Sequence, residues 1–195
     1  MYEHKGPDRI FVYTGPDGSG RKSVAEAVGH TFGMSKIISY VTRKPRPGEV
    51  DGQDYHFITK EQYKEMEAHH EFIESVEIDG NYYGIRRVDV EEGLREHGCV
   101  YLVLNHEGAQ RMKDIYGDAV VRLFIYADRE TVEARQRNMG LDPEVVAAHM
   151  RRYEEEMGYR SACEHAFGNY DLADTVSRIT ETIESYLQRN LVEKD

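Results

Sequence analysis

Residues 10–20 read IFVYTGPDGSG, in which a short apolar run passes directly into three closely spaced glycines. The run Ile10–Tyr13 is β-branched and aromatic, and it predicts a buried strand. Glycine lets backbone N–H groups converge without obstruction by a Cβ, and a helix that starts after the loop adds partial positive charge. The stretch therefore predicts a strand, a phosphate-binding loop and a helix in succession. A glycine-rich turn that binds no ligand is the alternative.

The loop departs from the pattern G-x-x-x-x-G-K-[S/T], which has a Lys after the last glycine and then a hydroxyl for Mg²⁺. Arg21 and Lys22 occupy these two positions, and Ser23 follows one residue late. An extra residue in the loop would make Lys22 and Ser23 the functional pair. The helical spacing of Val24 and Val28 favours the alignment without an insertion, because a slip of one residue would rotate both by ~100°.

Outward from this loop, apolar runs alternate with helical patterns along the chain. Near-continuous apolar runs at Val100–Leu104 and Val120–Tyr126 predict central strands of a parallel sheet, and Lys36–Tyr40 predicts a further strand. Helical patterns lie at about 21–29, 129–139, 143–158 and 173–192. Strand alternating with helix predicts an α/β fold, with a parallel sheet flanked by helices.

The segment 55–90 has a different pattern, in which short strands surround one helix. It predicts strands at Tyr55–Ile58, Glu71–Ile78 and Tyr82–Gly84 and a helix at Lys60–His69. The preceding loop, 42–48, contains two prolines, which favour extended backbone over helix. We therefore expect this part of the chain to form an insertion into the α/β core.

The composition limits the classes of function. The 195 residues contain 25 Lys and Arg against 36 Asp and Glu, a formal net charge of −11. Such a field repels polyanions, so we expect no nucleic-acid binding, and an anionic ligand needs a local basic pocket. Two cysteines, Cys99 and Cys163, are too few for a disulfide framework or a Cys-rich zinc site. The lack of an apolar run near ~20 residues and the polar segment Met1–Arg9 predict a cytoplasmic protein without a membrane partner.

Three motifs connect the insertion with a known family. Residues 42–57 read TRKPRPGEVDGQDYHF, residues 71–74 read EFIE, and residues 80–84 read GNYYG. The first resembles the motif T-R-x-P-R-x-G-E-x-x-G-x-D-Y-x-F of guanylate kinases, and the other two match further motifs of that family at the usual spacing. The resemblance extends from about residue 9 to residue 190.

The resemblance implies one domain over residues 1–195, built from three parts. These are a P-loop kinase core at 8–36 and 97–192, an inserted mixed-β subdomain for GMP at 37–90, and a short helical lid at 130–157. In family members ligand binding closes the insertion and the lid over the core, which excludes water from the transferring phosphoryl group. The implied reaction is ATP plus GMP giving ADP plus GDP, with Mg²⁺.

The resemblance also assigns a GMP site. The residues that resemble those holding the GMP phosphate are Ser39, Arg43, Arg46, Tyr55 and Tyr83. Arginine suits this role because its planar fork binds phosphate oxygens bidentately. Glu74 resembles the carboxylate that accepts from guanine N1–H and N2–H₂, a donor pair that adenine lacks. Taken alone, the arginines could form a solvated basic loop, and Glu74 could be a surface acid.

The half of the site for ATP and Mg²⁺ is less complete. The residues that the resemblance places there are Gly15, Gly18, Gly20, Arg21, Lys22, Ser23 and Asn169. Arg21 replaces the loop Lys, and its guanidinium does not reproduce a compact ammonium. Lys22, at the hydroxyl position, opposes Mg²⁺ binding. Asn169 matches the family's adenine contact, although Asn in a Gly-containing turn is also ordinary turn chemistry.

Two aspartates of the family are missing from the strand that ends near residue 104. Val103 replaces the one that supports the metal through water, and Asn105 replaces the one that helps to read the guanine amino group. The carbonyl oxygen of Asn105 can still accept a hydrogen bond, so we expect it to contact the substrate. Val103 can make no polar contact, and we assign no metal-ligating residue.

The lid retains one of the arginines that the family directs at the phosphoryl group. Arg135 matches this arginine, but Met139 and His149 stand where two others belong. Three arginines within a turn or less could substitute, or could form only a solvated helix face: Arg137, Arg151 and Arg152. Arg21 and Arg135 remain as the candidate catalytic residues.

Two functions are compatible with these residues. One is a guanylate kinase that uses ATP and Mg²⁺; the other is a binding module, without cofactor, for a guanine nucleotide or a phosphorylated peptide. Removing one preorganised electrostatic donor commonly costs ~10²–10³ in rate. We therefore expect GMP binding with phosphoryl transfer weak or lost. Glu74 favours guanine over a peptide, which offers that acid no donor pair.

Overall fold

The centre of the computed structural model, which describes residues 8–192, is a five-stranded parallel sheet. In spatial order its strands are β2 (Ser35–Lys36), β7 (Cys99–Val103), β1 (Arg9–Thr14), β8 (Val120–Tyr126) and β9 (His165–Gly168). Ile10 of β1 is level with Val100 of β7 and with Val120 of β8. The carboxyl ends of the strands therefore share one edge, and the glycine loop after β1 lies at its middle.

Helices cover both faces of this sheet. They are α1 (Arg21–Phe32) and α7 (Leu172–Val192) on one face, and α3 (Arg87–His97) and α4 (His106–Tyr116) on the other. Ile10 packs in one core with Val90 of α3. Its neighbour Phe11 points the opposite way and packs with Val28 of α1. Burial on both faces is the reason why the central strands are apolar at nearly every position.

A four-stranded mixed sheet is inserted between β2 and α3. Its spatial order is β4 (His56–Phe57), β3 (Tyr40–Val41), β6 (Asn81–Arg86) and β5 (Phe72–Ile78). One helix, α2 (Lys60–Ala68), packs on it and begins with a capping box formed by Thr59 and Gln62. The buried Tyr63 ring of α2 stacks on Phe72 and Tyr82, with centroids 4.4 and 5.3 Å away.

Two helices form a lid at the carboxyl edge of the central sheet: α5 (Arg129–Asn138) and α6 (Pro143–Gly158). Asp128 and Asp142 cap their N-termini by accepting hydrogen bonds from Thr131 N and Glu144 N. The lid has its own small core, which contains Val132, Val146 and Met150. Short 3₁₀ turns at Gly117–Ala119 and Tyr159–Ala162 complete the structure.

The predicted fold class is confirmed, but the predicted strand at Lys36–Tyr40 is wrong. Within this run only Lys36, the last residue of β2, pairs with β7, whereas Tyr40 begins β3 and pairs within the mixed sheet. Residues 37–39, between β2 and β3, carry the chain from the central sheet to the mixed sheet. Ile37 is buried in the core of the central sheet. The sequence patterns also fail to predict α3, α4 and β9, because each buries few large apolar side chains.

The mixed sheet lies within the segment 37–90 and ends at Arg86. The first turn of α3, at the end of that segment, packs with the central sheet through Val90.

Within the described range, no helix is both long and apolar enough to cross a bilayer. The prediction for the N-terminal segment falls largely on residues 1–7, outside the described residues.

A buried charge in β8 ties the central sheet to the segment before β9. Arg122 is 7% exposed, and its Nε and Nη2 donate to Glu164 at 3.1 and 3.0 Å. Lys113 of α4 also donates to Glu164, at 3.0 Å. Burial alone would raise the pKa of Glu164, but the hydrogen bonds from Arg122 and Lys113 lower it to about 2.

Replacing Glu164 with Gln should lower the free energy of unfolding at pH 7 by about 2 kcal/mol, because Arg122 loses its counter-charge. Since the pKa of Glu164 is lower in the folded chain than the ordinary ~4.3, its contribution is complete above about pH 5 and is lost as the pH falls towards 2. Urea unfolding at pH 7 and pH 3 should show a smaller difference between wild type and variant at pH 3. An equal difference at both pH values would contradict this role.

The matched control is Glu133→Gln, which removes a surface pair with Arg137. It should change the free energy of unfolding by less than about 0.5 kcal/mol, because exposed pairs contribute little.

Candidate functional site

The loop between β1 and α1 has a backbone that favours glycine. Three of its residues have φ values of +133°, +84° and +89°: Gly15, Gly18 and Gly20. A Cβ on Gly15 would collide with the carbonyl of Ile125 in β8, and one on Gly18 would lie 2.8 Å from the carbonyl oxygen of Val132 in α5. The loop is therefore packed too closely on its neighbours to accept a side chain at these positions.

The outer side of the loop is held by two of the predicted site residues. Asn169, after β9, donates from Nδ2 to Ser19 O at 2.8 Å. Arg135 of α5 donates from Nη2 to Asn169 O at 2.7 Å and from Nη1 to Ser19 O at 3.5 Å. Both side chains thus fix the loop backbone from outside, and they lie apart from the cavity described next.

A cavity of about 270 Å³ lies between the carboxyl edge of the central sheet, the mixed sheet and the lid. The structure brings all of the predicted substrate-binding residues to its wall: Ser39, Arg43, Arg46, Tyr55, Glu74, Tyr83 and Asn105. Glu74 and Tyr83 lie on strands of the mixed sheet, Asn105 caps α4, and the others lie in the loops around β3 and β4. Arg21 also lines the cavity, so it joins this group although it follows the glycine loop.

One end of the cavity is basic and aromatic. Arg43 makes a bidentate contact with Glu49, at 2.6 and 2.8 Å, and donates to the Tyr83 hydroxyl at 3.2 Å. Glu49 also accepts from the backbone N–H of Arg46, at 2.7 Å. Burial opposes ionisation of Glu49, but these hydrogen bonds hold its pKa below the ordinary value. Glu49, to which the sequence analysis gives no role, therefore sets the positions of both arginines.

The other end of the cavity carries a buried acid. Glu74 is 5% exposed, and its Oε1 has no hydrogen-bond partner among residues 8–192. Burial, reinforced by the charge of Glu107 and opposed by Arg111, raises its pKa to about 8. A buried oxygen without a partner costs free energy unless a ligand satisfies it. This end of the cavity is thus suited to a ligand with N–H donors.

Asn105 lies beside this acid as the N-cap of α4. Its Oδ1 accepts from Gly108 N at 3.0 Å. A Cβ on Gly108 would lie 3.2 Å from Asn105 Oδ1 and 3.4 Å from Glu74 Oε1, so glycine keeps the space beside the acid open. The carbonyl oxygen of Asn105 has a second lone pair and can accept one more hydrogen bond.

Successive side chains in the first turn of α1 point into the cavity and away from it. Arg21 donates to Leu104 O at 3.1 Å and to Asp17 at 2.9 Å, within the cavity. Lys22 turns away from the cavity and pairs with Asp54, and Ser23 is exposed. Val24 and Val28 of the same helix are fully buried, which is the packing that the ungapped alignment requires.

Asp17, inside the glycine loop, connects the loop to the lid. In addition to Arg21, its carboxylate faces Arg152 at 3.6 Å and His149 at 3.8 Å, both on α6. The buried Gln136 of α5 donates to Asp17 O at 3.0 Å and contacts His149 Nδ1 at 2.5 Å. Neither Asp17 nor Gln136 is predicted from the sequence as a site residue. The available signal was a carboxylate within a loop predicted to bind phosphate.

A family model described as guanylate kinase matches residues 7–186. This chain belongs to the guanylate kinase family. The guanylate kinase of Shewanella violacea is 32% identical over 196 residues, covering 94% of this chain and 95% of the relative. That of Fusobacterium nucleatum is 31% identical over 177 residues, 90% and 96% of the two chains. The crystal structure of guanylate kinase from Anaplasma phagocytophilum superimposes with a TM-score of 0.77 at 25% identity, covering 94% of this chain and 88% of that one.

In the present chain, the lid brings one additional arginine to the cavity. Of the three possible substitutes, Arg152 lines the cavity, whereas Arg137 pairs with Glu133 on the surface and Arg151 is exposed. His149, in place of a family arginine, is 7% exposed and faces the same space. Burial lowers the pKa of His149, and the neighbouring arginines lower it further against the opposing charge of Asp17.

The side chains near the glycine loop do not fit the Mg²⁺ site that the guanylate kinase family implies. The described residues contain no group of three or more His, Cys, Asp and Glu side chains placed for a metal ion. Lys22 stands at the hydroxyl position, and Val103 brings an apolar side chain to the cavity wall. The glycine loop does suit a phosphate group, because it leads into the N-terminus of α1, whose backbone N–H groups and dipole favour an anion.

Gly18→Ala should destabilise the protein by about 1–3 kcal/mol more than Gly48→Ala. The two glycines have φ of +84° and +85°, so the backbone strain is matched. A Cβ meets Val132 O at Gly18, but it meets nothing within 4 Å at Gly48 among the atoms of the described chain. Urea unfolding of both variants measures the difference. Equal destabilisation would show that α5 does not constrain the loop.

Proposed function

We propose that this guanylate kinase family member binds GMP in the cavity, with the guanine at Glu74 and the phosphate at the arginine end. The observation that carries this proposal is the buried carboxylate oxygen of Glu74, which lacks a protein partner within residues 8–192. Guanine presents N1–H and N2–H₂ side by side, and both can be donated to one carboxylate. Adenine has an acceptor at N1, so the same acid would disfavour it.

The opposite end of the cavity suits the phosphate of the same ligand. Arg43 is already oriented by Glu49 and stacked against the Tyr55 ring, 5.0 Å from its centroid. An oriented guanidinium loses little conformational freedom when it binds a phosphate. Arg46, Ser39 and the Tyr83 hydroxyl complete the proposed phosphate site, because they line the same part of the cavity.

GMP binding should depend on the ionisation of Glu74. Because the pKa of Glu74 is about 8 without ligand, the carboxylate must lose a proton to accept from guanine at pH 7. GMP affinity should therefore rise about tenfold from pH 7 to pH 9. Glu74→Gln should weaken binding at pH 9 by at least about tenfold and should remove this pH dependence. Isothermal titration calorimetry with GMP, and with AMP as the disfavoured base, measures both effects.

Glu61→Gln provides the matched control, because Glu61 lies in the same insertion but is exposed and outside the cavity. Its GMP affinity should stay within about twofold of the wild type, since an exposed carboxylate loses little on neutralisation. GMP binding that is unchanged in Glu74→Gln would overturn the proposed guanine contact. It would favour a ligand recognised by its phosphate alone, such as a phosphorylated peptide.

We further propose that phosphoryl transfer from ATP to GMP is slow in this protein. Arg21 is held by Leu104 O and Asp17, and Lys22 is held by Asp54. Transfer depends on positioned charge around the phosphoryl group, so each displaced cation reduces the rate. ATP would contact the backbone of the glycine loop, whose outer side is supported by Arg135 and Asn169.

A coupled assay of ADP release with GMP, ATP and Mg²⁺ tests the rate of transfer. We expect a kcat at least about a hundredfold below the ~10 s⁻¹ typical of enzymes. Arg21→Ala should remove any residual turnover, because Arg21 is the first cation after the loop. Steady turnover near the typical value would contradict slow transfer and leave the GMP site intact.

The second candidate function is a binding module without transfer. It is favoured by the difference between the two halves of the site: the GMP half is almost complete, with Asn105 in place of one aspartate, whereas Lys22 is paired with Asp54 and Val103 is apolar. GMP binding by calorimetry, together with an absence of ADP release in the same preparation, would identify this function.

A further inference from the structure

Asp17 lies at the point where the cations of the glycine loop and the lid converge. Its Oδ1 accepts from Arg21 at 2.9 Å, and its Oδ2 faces Arg152 at 3.6 Å and His149 at 3.8 Å. Burial opposes ionisation, but the charges of Arg21, Arg152 and Arg46 hold the pKa of Asp17 below its ordinary value. The carboxylate is therefore a resident anion in a pocket built from positive groups.

The lid fixes this anion in place. Gln136 donates from Nε2 to Asp17 O, so its Oε1 is left to accept from His149 Nδ1–H. In neutral His149 the other ring nitrogen, Nε2, then carries a lone pair, and Arg46 Nη2 lies 3.5 Å from it. Arg46 belongs to the proposed phosphate site, so only His149 separates Asp17 from an arginine of that site.

The remaining charges around Asp17 leave little attraction for another anion. Arg152 is also paired with Asp79, at 2.6 Å. Glu156 of α6 is 5% exposed beside Asp17, and burial together with the Asp17 charge raises its pKa to about 7. Arg21 is thus the main cation near the loop, and its guanidinium is already hydrogen-bonded to Asp17.

We propose that Asp17 is a specificity-determining residue that restricts the cavity to nucleoside monophosphates. This inference rests on the proposed binding of GMP. A second phosphate on the ligand would have to reach Arg21 and Arg152, and Asp17 occupies these groups with a covalently attached carboxylate. Binding of a diphosphate therefore includes the free-energy cost of displacing Asp17 and the repulsion from its charge. The single phosphate of GMP is held by Arg43 and Arg46 and avoids both.

Asp17→Asn removes the charge with little change in volume, and it tests the inference directly. Calorimetric titration with GMP and GDP should show GDP affinity rising at least about tenfold in the variant, while GMP affinity changes by less than about threefold. Asp17→Ser serves as a second variant and should shift the GDP-to-GMP ratio in the same direction. Thermal unfolding verifies that each variant is folded.

Asp174→Asn is the matched control, because it removes a carboxylate from an exposed pair with Arg178 that lies outside the cavity. Its GDP-to-GMP ratio should stay within about twofold of the wild type. An unchanged ratio in both Asp17 variants, or an equal change in Asp174→Asn, would overturn the role of Asp17.

Inorganic pyrophosphate separates this inference from the proposed function. If GMP binds to none of the proteins, the proposed function fails, and pyrophosphate binding then decides the role of Asp17 alone. If Asp17→Asn binds pyrophosphate more strongly than the wild type does, the proposed exclusion of a second phosphate by Asp17 is supported. Equal binding excludes that role.

Discussion

The close packing of the glycine loop against its neighbours is the constraint on which the site depends. Gly15 lies against the backbone of β8, Gly18 against α5, and Gly20 against Asn169. The loop is therefore held from three directions, by segments that follow it in the chain by about a hundred residues or more. Because its backbone is fixed, the Cα atoms of Asp17 and Arg21 are also fixed. Their side chains therefore meet inside the cavity.

The parts of the fold that the sequence predicts are those with strong local patterns. β1, β7 and β8 have apolar residues at nearly every position, and α5, α6 and α7 have helical spacing over at least ten residues. The crossing between β2 and β3 could not be predicted, because the run 36–40 is as apolar as a continuous strand. α4 buries mainly small residues, Gly108 and Ala109, beside Met112, and so has a weak apolar stripe.

The residues that the family resemblance assigns to GMP could be named from the sequence, and they all line one cavity. The connection between loop and lid could not be derived in this way. Gln136 contacts Asp17 across 119 positions of sequence, and the contact depends on the fold of both helices of the lid. Arg135 illustrates the same limit: its type and position suit a charged phosphate, but the structure uses its donors on the carbonyls of Ser19 and Asn169.

Two polar contacts join the insertion to the lid across the mouth of the cavity, and they have a kinetic consequence. Arg46 approaches His149 at 3.5 Å, and Arg152 donates to Asp79 at 2.6 Å. Both contacts must break before the insertion and the lid can separate at this point, and separation would widen the entrance for the proposed nucleotide. Salt weakens ionic contacts at the exposed mouth and also weakens phosphate binding. Added salt should thus speed the opening of the cavity while it lowers the affinity for what the cavity holds.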